Sequence, residues 1–238
     1  MGKIKSSAVK RLISAALILL VIPAVIGFGI WLFADRRYNI ISVIVALISC
    51  VPFFIRFERG KRGSRELTVI AVMTAFSVLG RIVFAPIPAF KPVTAITVIA
   101  GSALGAEGGF MIGSLSAIVS NMFFGQGPWT PFQMLVWGLV GFISGLILRP
   151  SAKPNRLLLS LMGVLGGAMF SLVMDVWTTF SLEEGFSMAR YLATVVGSAP
   201  TMILYAVSNV VFLLILARPF FEKLLRIRKK YGVFGGAP

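Results

Sequence analysis

From residue 108 to residue 148 the chain carries no charged side chain. A bilayer core accepts about 20 residues per helix, so this stretch is too long for one crossing and too apolar to lie in water. At its centre stands FFGQGPWTPFQM, residues 123–134, whose glycines and prolines interrupt helices. Two crossings, 108–124 and 132–148, joined by GQGPWTP, resolve the conflict. Further uncharged runs at 12–34, 38–55, 67–80, 92–106, 157–174 and 191–217 follow the same pattern and give eight expected spans.

Composition agrees with an all-α integral membrane protein. Hydrophobic residues make up 58% of the 238, mean hydropathy is +0.94, and the charged fraction of 13% is well below that of soluble domains. In lipid the backbone must satisfy its own hydrogen bonds, which leaves helices or closed barrels. The short alternating segments of a barrel are absent from the sequence. With no His and one cysteine, Cys50, neither a disulfide framework nor a His/Cys metal site can be assembled, and no cofactor is implied.

The net charge of +15 invites a nucleic-acid reading, which the distribution of charge disfavours. The basic residues cluster in alternate connections. With the N-terminus in the cytoplasm, all of the 23 except Arg36, Arg37, Arg81, Lys91 and Arg190 fall on the cytoplasmic side. This is the positive-inside signature, and it places both termini in the cytoplasm. The run 12–34 is longer than the 7–15 residues of a signal-peptide core and reads as a retained helix.

RFERGKRGSRE, residues 56–66, is the most charged internal segment and the natural boundary. Residues 1–63 read as an accessory pair of transmembrane helices rich in Ile, Leu and Val. Residues 64–238 read as a six-helix working module in which Gly, Ala, Ser and Thr rise sharply. Small residues recur four apart at Ala71 and Ala75, at Gly105, Gly109 and Gly113, and at Gly141 and Gly145. Such faces mark close helix contacts, either within the chain or with a separate membrane subunit. GAEGG, 105–109, reads as a tight cytoplasmic turn.

Three outward connections are irregular: FAPIPAFKP at 84–92, expected to be stiff and extended; GQGPWTP; and DVWTTFSLEEGFSMARY at 175–191, long enough for a lid. They carry Phe90, Gln126, Trp129, Thr130, Trp177 and Phe180, with Gln133 just beyond. Aromatic walls with a few placed polar groups suit a ligand site, whereas single aromatics suit an interfacial belt. Within the spans, Asn121, Asp175, Tyr205 and Asn209 must face the bundle interior. Asn209 is equally suited to a neighbouring helix backbone and to a ligand. Arg81 and Asp175, both near outer helix ends, suit either a mutual salt bridge or recognition of a polar solute. No phosphate-binding loop, carboxylate pair or charged relay is present, so an enzyme is not expected.

The AVMTA pattern at Ala71 and Ala75, the outer loop FAPIPAFKPVTAI, the stretch SNMFFGQGPWTPFQMLVWGLVGFISG and the ending APTMILYAVSNVVFLLILARPFFEKLLRIRKKYG together resemble the substrate-binding S component of energy-coupling factor (ECF) vitamin importers. The resemblance covers residues 65 to 231. It implies a six-helix bundle that captures a vitamin or cofactor precursor from outside, with a corrinoid-related compound first and riboflavin or another B vitamin next. The implied partners are a membrane-embedded T component and two ATPase subunits. It further implies that Ala71 and Ala75 touch the T component, and that Lys91, Asn121, Gln126, Trp129, Gln133, Asp175, Trp177 and Asn209 lie around the solute. Tyr205 stands where histidine is expected in many relatives, and the two helices before the module depart from the pattern. A stand-alone secondary carrier and a solute-free membrane scaffold are the alternatives. The nutrient expected is uncharged or weakly charged.

Overall fold

The computed structural model describes residues 63–148, 155–182 and 188–235, together with Ile48. The accessory helices expected before residue 63, and the expected side of the N-terminus, lie outside the described residues. Within them every regular element is helical: α1 Gly63–Val83, α2 Val93–Leu104, α3 Ala106–Phe124, α4 Thr130–Ile147, α5 Arg156–Leu182 and α6 Met188–Tyr231, followed by a 3-10 turn at Val233–Gly235. Each of the six expected module spans finds its helix. Four of them, α1, α4, α5 and α6, are long and apolar enough to cross a membrane.

The exception of greatest interest is α2, VTAITVIAGSAL. Twelve residues rise only ~18 Å, short of the ~30 Å hydrocarbon layer. All twelve are buried, because α2 is enclosed by α3, α4 and α6 and meets protein rather than lipid. Pro92 precedes its first turn, where the missing N–H costs nothing. Gly105 ends α2 and opens α3 with φ of 94°, a conformation closed to most side chains, so the two helices are joined through one residue.

Helices α2, α3 and α4 meet backbone to backbone. A Cβ at Gly109 would collide with the Gly141 carbonyl and with Gly101, and one at Gly113 would collide with the Trp137 carbonyl. The glycine spacing is thus used for packing inside the chain. A second such seam joins α5 to α6, where Gly163 and Gly167 lie against the backbone of Val210 and Ala206. Outward faces are apolar: Val72, Phe76 and Leu79 on α1, Leu161 and Val164 on α5, and Val196, Ile203 and Val207 on α6 are all exposed. So many large apolar side chains facing outward is what a lipid solvent allows and water does not.

Two of the expected connections fold otherwise. The segment 84–92 does not extend; Phe84, Ala85, Ile87 and Phe90 close successive backbone turns, and Ala89 takes φ of 55°. Nor do residues 175–182 belong to a loop. Residues 176–182 contain no Gly or Pro, Thr179 bonds the Asp175 carbonyl, and α5 simply continues to Leu182. Helix α6 begins again at Met188, three residues before the expected start at 191, and runs for 44 residues past Pro200 and Pro219. Its last turns carry Arg228, Lys229 and Lys230. They return to the start of α1, where the Arg65 guanidinium sits 5.3 Å from the Tyr231 ring centroid, and to the end of α2, where Arg228 donates to the Ala103 carbonyl at 3.0 Å. One end of the bundle is therefore basic, with a groove of about 540 Å³ between α1 and α6 lined by Arg65, Val72, Phe76, Phe220, Lys223 and Tyr231, and the polar residues singled out above collect at the other.

Candidate functional site

The connection 125–129 is built from its own end residues. Gly125, with φ of 93°, stops α3 and turns the chain. The Trp129 ring lies directly over Gly127, which leaves no room for a side chain there. Thr130 opens α4 with Pro131 in its first turn. The Thr130 hydroxyl donates to Gln126 Oε1 at 3.0 Å and accepts from the Gly127 N–H. Gln126 Nε2 in turn donates to the Ile118 carbonyl at 2.9 Å, which ties the loop to α3.

Asn121 joins this loop to a partly buried charge. Its Nδ2 donates to Thr130 Oγ1 and to Gln133 Oε1, each at 2.9 Å, and its Oδ1 accepts from Arg81 Nη1 at 2.8 Å. The same Arg81 nitrogen donates to the Ser120 hydroxyl. The guanidinium is further framed by the rings of Phe124 and Trp137, with centroids 4.7 and 5.2 Å away. A partly buried cation is stabilised by such partners. The expected alternative of an Arg81–Asp175 salt bridge is not formed: Asp175 is buried on α5 and accepts from the Ser198 hydroxyl of α6.

Beside this network lies a cavity of about 70 Å³, lined by Arg81, Lys91, Val93, Thr94, Gln133, Trp137, Phe170, Tyr205 and Asn209. Trp137 stacks on Phe170 at 5.2 Å with the planes 15° apart, and Phe170 meets Tyr205 edge-on at 5.0 Å. Aromatic rings and cationic and amide groups therefore line the cavity together. Lys91 is held in place through its backbone, whose N–H donates to the Ser208 hydroxyl at 3.0 Å, while Phe84 and Phe90 of the same loop pack on Phe212. Burial, and then the nearby Arg81 guanidinium, push the Lys91 ammonium below the ordinary lysine range.

Of the residues singled out in the sequence, the structure brings Arg81, Lys91, Gln133, Tyr205 and Asn209 to the cavity wall. Asn209 does both things proposed for it, lining the cavity while its Nδ2 donates to the Gly163 carbonyl at 3.1 Å. Asn121, Gln126 and Thr130 stand behind the wall as its bracing. Trp129 is committed to Gly127, Asp175 to Ser198, and Trp177 packs on Phe132 at 5.9 Å. Sequence reasoning passed over Trp137, Phe170 and Thr94. Trp137 was within reach, since it lies one helical turn beyond Gln133 and so on the same face. Ala71 and Ala75 are exposed on the outer stripe of α1, away from the cavity.

The sequence model of the ECF-type riboflavin transporter S component matches residues 62–226, more than two thirds of the chain. The chain belongs to that family. It is a membrane-embedded S component of an ECF transporter, a binding and transport subunit. No curated protein and no solved structure matches the chain. The family match starts where α1 starts and ends inside the basic extension of α6, so it spans every element that builds the cavity.

Proposed function

We propose that this S component captures a flavin, riboflavin or a close relative, from the outer side and delivers it inward with an ECF T component and two ATPase subunits. The observation that carries this reading is the cavity lined by Trp137, Phe170 and Tyr205 together with Arg81, Lys91, Gln133 and Asn209, in a chain of the riboflavin S-component family. Stacked aromatics suit a flat conjugated ring, and amides suit ring carbonyls and N–H groups. A corrinoid, the first expectation from sequence, is far bulkier than a flavin and less suited to a small cavity edged by aromatic rings.

At about 70 Å³ the cavity is well below the ~300 Å³ at which ligand pockets begin, so capture requires the loops at this end to part and reclose. The turn-built segment 84–92 and the 125–129 connection are the elements able to do so. Orientation follows the positive-inside argument: the basic end faces the cytoplasm and the cavity faces outward. The exposed Ala71 and Ala75 stripe on α1 is the proposed T-component contact, through which the ATPases tip the bundle to expose the solute inward. The family match beginning at residue 62 supports a boundary near residue 63 between the accessory pair and the binding module.

The test is purification in detergent, denaturation, and identification of the released solute by mass spectrometry. A flavin in near-stoichiometric amount supports the reading. Another vitamin corrects the solute, and no retained solute favours a scaffold. Uptake that persists without ATPases would favour a stand-alone carrier.

A further inference from the structure

The cavity contains a charge imbalance that a neutral solute leaves uncorrected. Arg81 and Lys91 both line it, and among the described residues no Asp or Glu does so. Neither cation forms an ion pair with a described residue there. Arg81 is supported only by the neutral oxygens of Ser120 and Asn121 and by two ring faces. Asp175, the buried carboxylate on the neighbouring helix, is occupied by Ser198. Neutral hydrogen bonds offset part of the cost of burying a guanidinium, but they do not cancel its field, and a second cation beside it adds repulsion. The proximity is visible in Lys91, whose ammonium is disfavoured by Arg81 as well as by burial.

Such an arrangement is unfavourable in the empty protein and becomes favourable when an anion enters. We infer that the solute carries an anionic oxygen group, a phosphate monoester or a carboxylate, seated between Arg81 and Lys91, with its ring system against Trp137 and Phe170. This rests on the solute-binding reading above and narrows it. It also revises the sequence expectation of an uncharged or weakly charged nutrient. Guanidinium and ammonium groups together are a common pairing for phosphate, the first by its fixed fork of donors and the second as a mobile point charge. The aromatic wall would admit many flat rings, so the two cations supply selectivity that stacking alone does not.

The experiment uses matched pairs that differ only in the anion: riboflavin against riboflavin 5′-phosphate, and nicotinamide against nicotinate. The full chain is purified in detergent, stripped of solute and titrated with each, with binding read by flavin fluorescence or by calorimetry. The expected result is that riboflavin 5′-phosphate binds about tenfold or more tightly than riboflavin. Lys91→Met should narrow that gap to about twofold and Lys91→Glu should reverse it. Because Lys91 lies in a half-exposed loop, both variants are expected to fold, and a melting curve in detergent checks this. Failure of both flavins with retention of nicotinate over nicotinamide sinks the flavin reading but upholds the anion. A neutral member binding as tightly as its anionic twin, or no anionic member binding at all, overturns the anion assignment.

Discussion

Asn121 is the residue through which the site is held together. It alone bonds α1, the loop end of α4 and the cavity residue Gln133 at once. Replacing it with leucine strips Arg81 and Thr130 of buried partners, and each lost partner costs about 1–3 kcal/mol. Asn121→Leu should therefore lower the melting temperature in detergent and weaken solute binding together, whereas Trp137→Ala should weaken binding by at least about tenfold with a smaller thermal effect, which parallel melting and titration experiments can separate. Lys91 yields a pH signature. Its ammonium lies below the ordinary lysine value of 10.5, so it loses its proton earlier as pH rises than an exposed lysine does. Any preference for a phosphorylated flavin should shrink on the alkaline side as pH passes through that lowered value, and titrations of Lys91→Met should show no such step. These roles were partly legible in the sequence. An amide or cation in an apolar run must find a partner, which singled out Arg81, Asn121 and Asn209. Which of them would line a cavity and which would brace it depends on distances between residues such as Arg81 and Asn121, forty positions apart, and no local pattern encodes those.

At the scale of elements, the glycine seams carry the packing. Gly109 and Gly141 bring α3 and α4 together with α2 so closely that no side chain fits between them. Gly109→Val should be destabilising by ~1–3 kcal/mol or more, since overpacking here must displace backbone rather than a flexible side chain, and loss of the folded fraction on size exclusion would show it. The exposed Ala71 and Ala75 stripe predicts the opposite split. Ala71→Phe should leave solute binding in detergent intact and abolish ATP-dependent uptake in cells, because it blocks a partner and not the cavity. Helix positions were legible because length and charge-free runs are set by the bilayer itself. The two misjudged connections have a common cause. In 84–92 the prolines suggested extension, yet the Phe84, Phe90 and Phe212 cluster draws the segment into turns. In 175–191 length suggested a lid, yet residues 176–182 lack any breaker and, with contacts such as Trp177 on Phe132, continue α5 to Leu182. The α5 seam at Gly163 and Gly167 was present in the sequence at the same four-residue spacing as the others and went unremarked.

For the molecule as a whole, the division is between a basic end and an aromatic, cationic cavity at the opposite end. The burial of α2 within the bundle gives a rigid frame, and the connections above it are the parts able to admit a solute. The central claim is that this cavity binds a flavin-like ring against Trp137. Titrating riboflavin into the purified, solute-stripped chain while following flavin fluorescence tests it directly. Saturable quenching with a dissociation constant of about a micromolar or tighter, lost in Trp137→Ala while that variant still melts cooperatively, is the predicted result. Quenching that never saturates, or that is the same in Trp137→Ala, would contradict it.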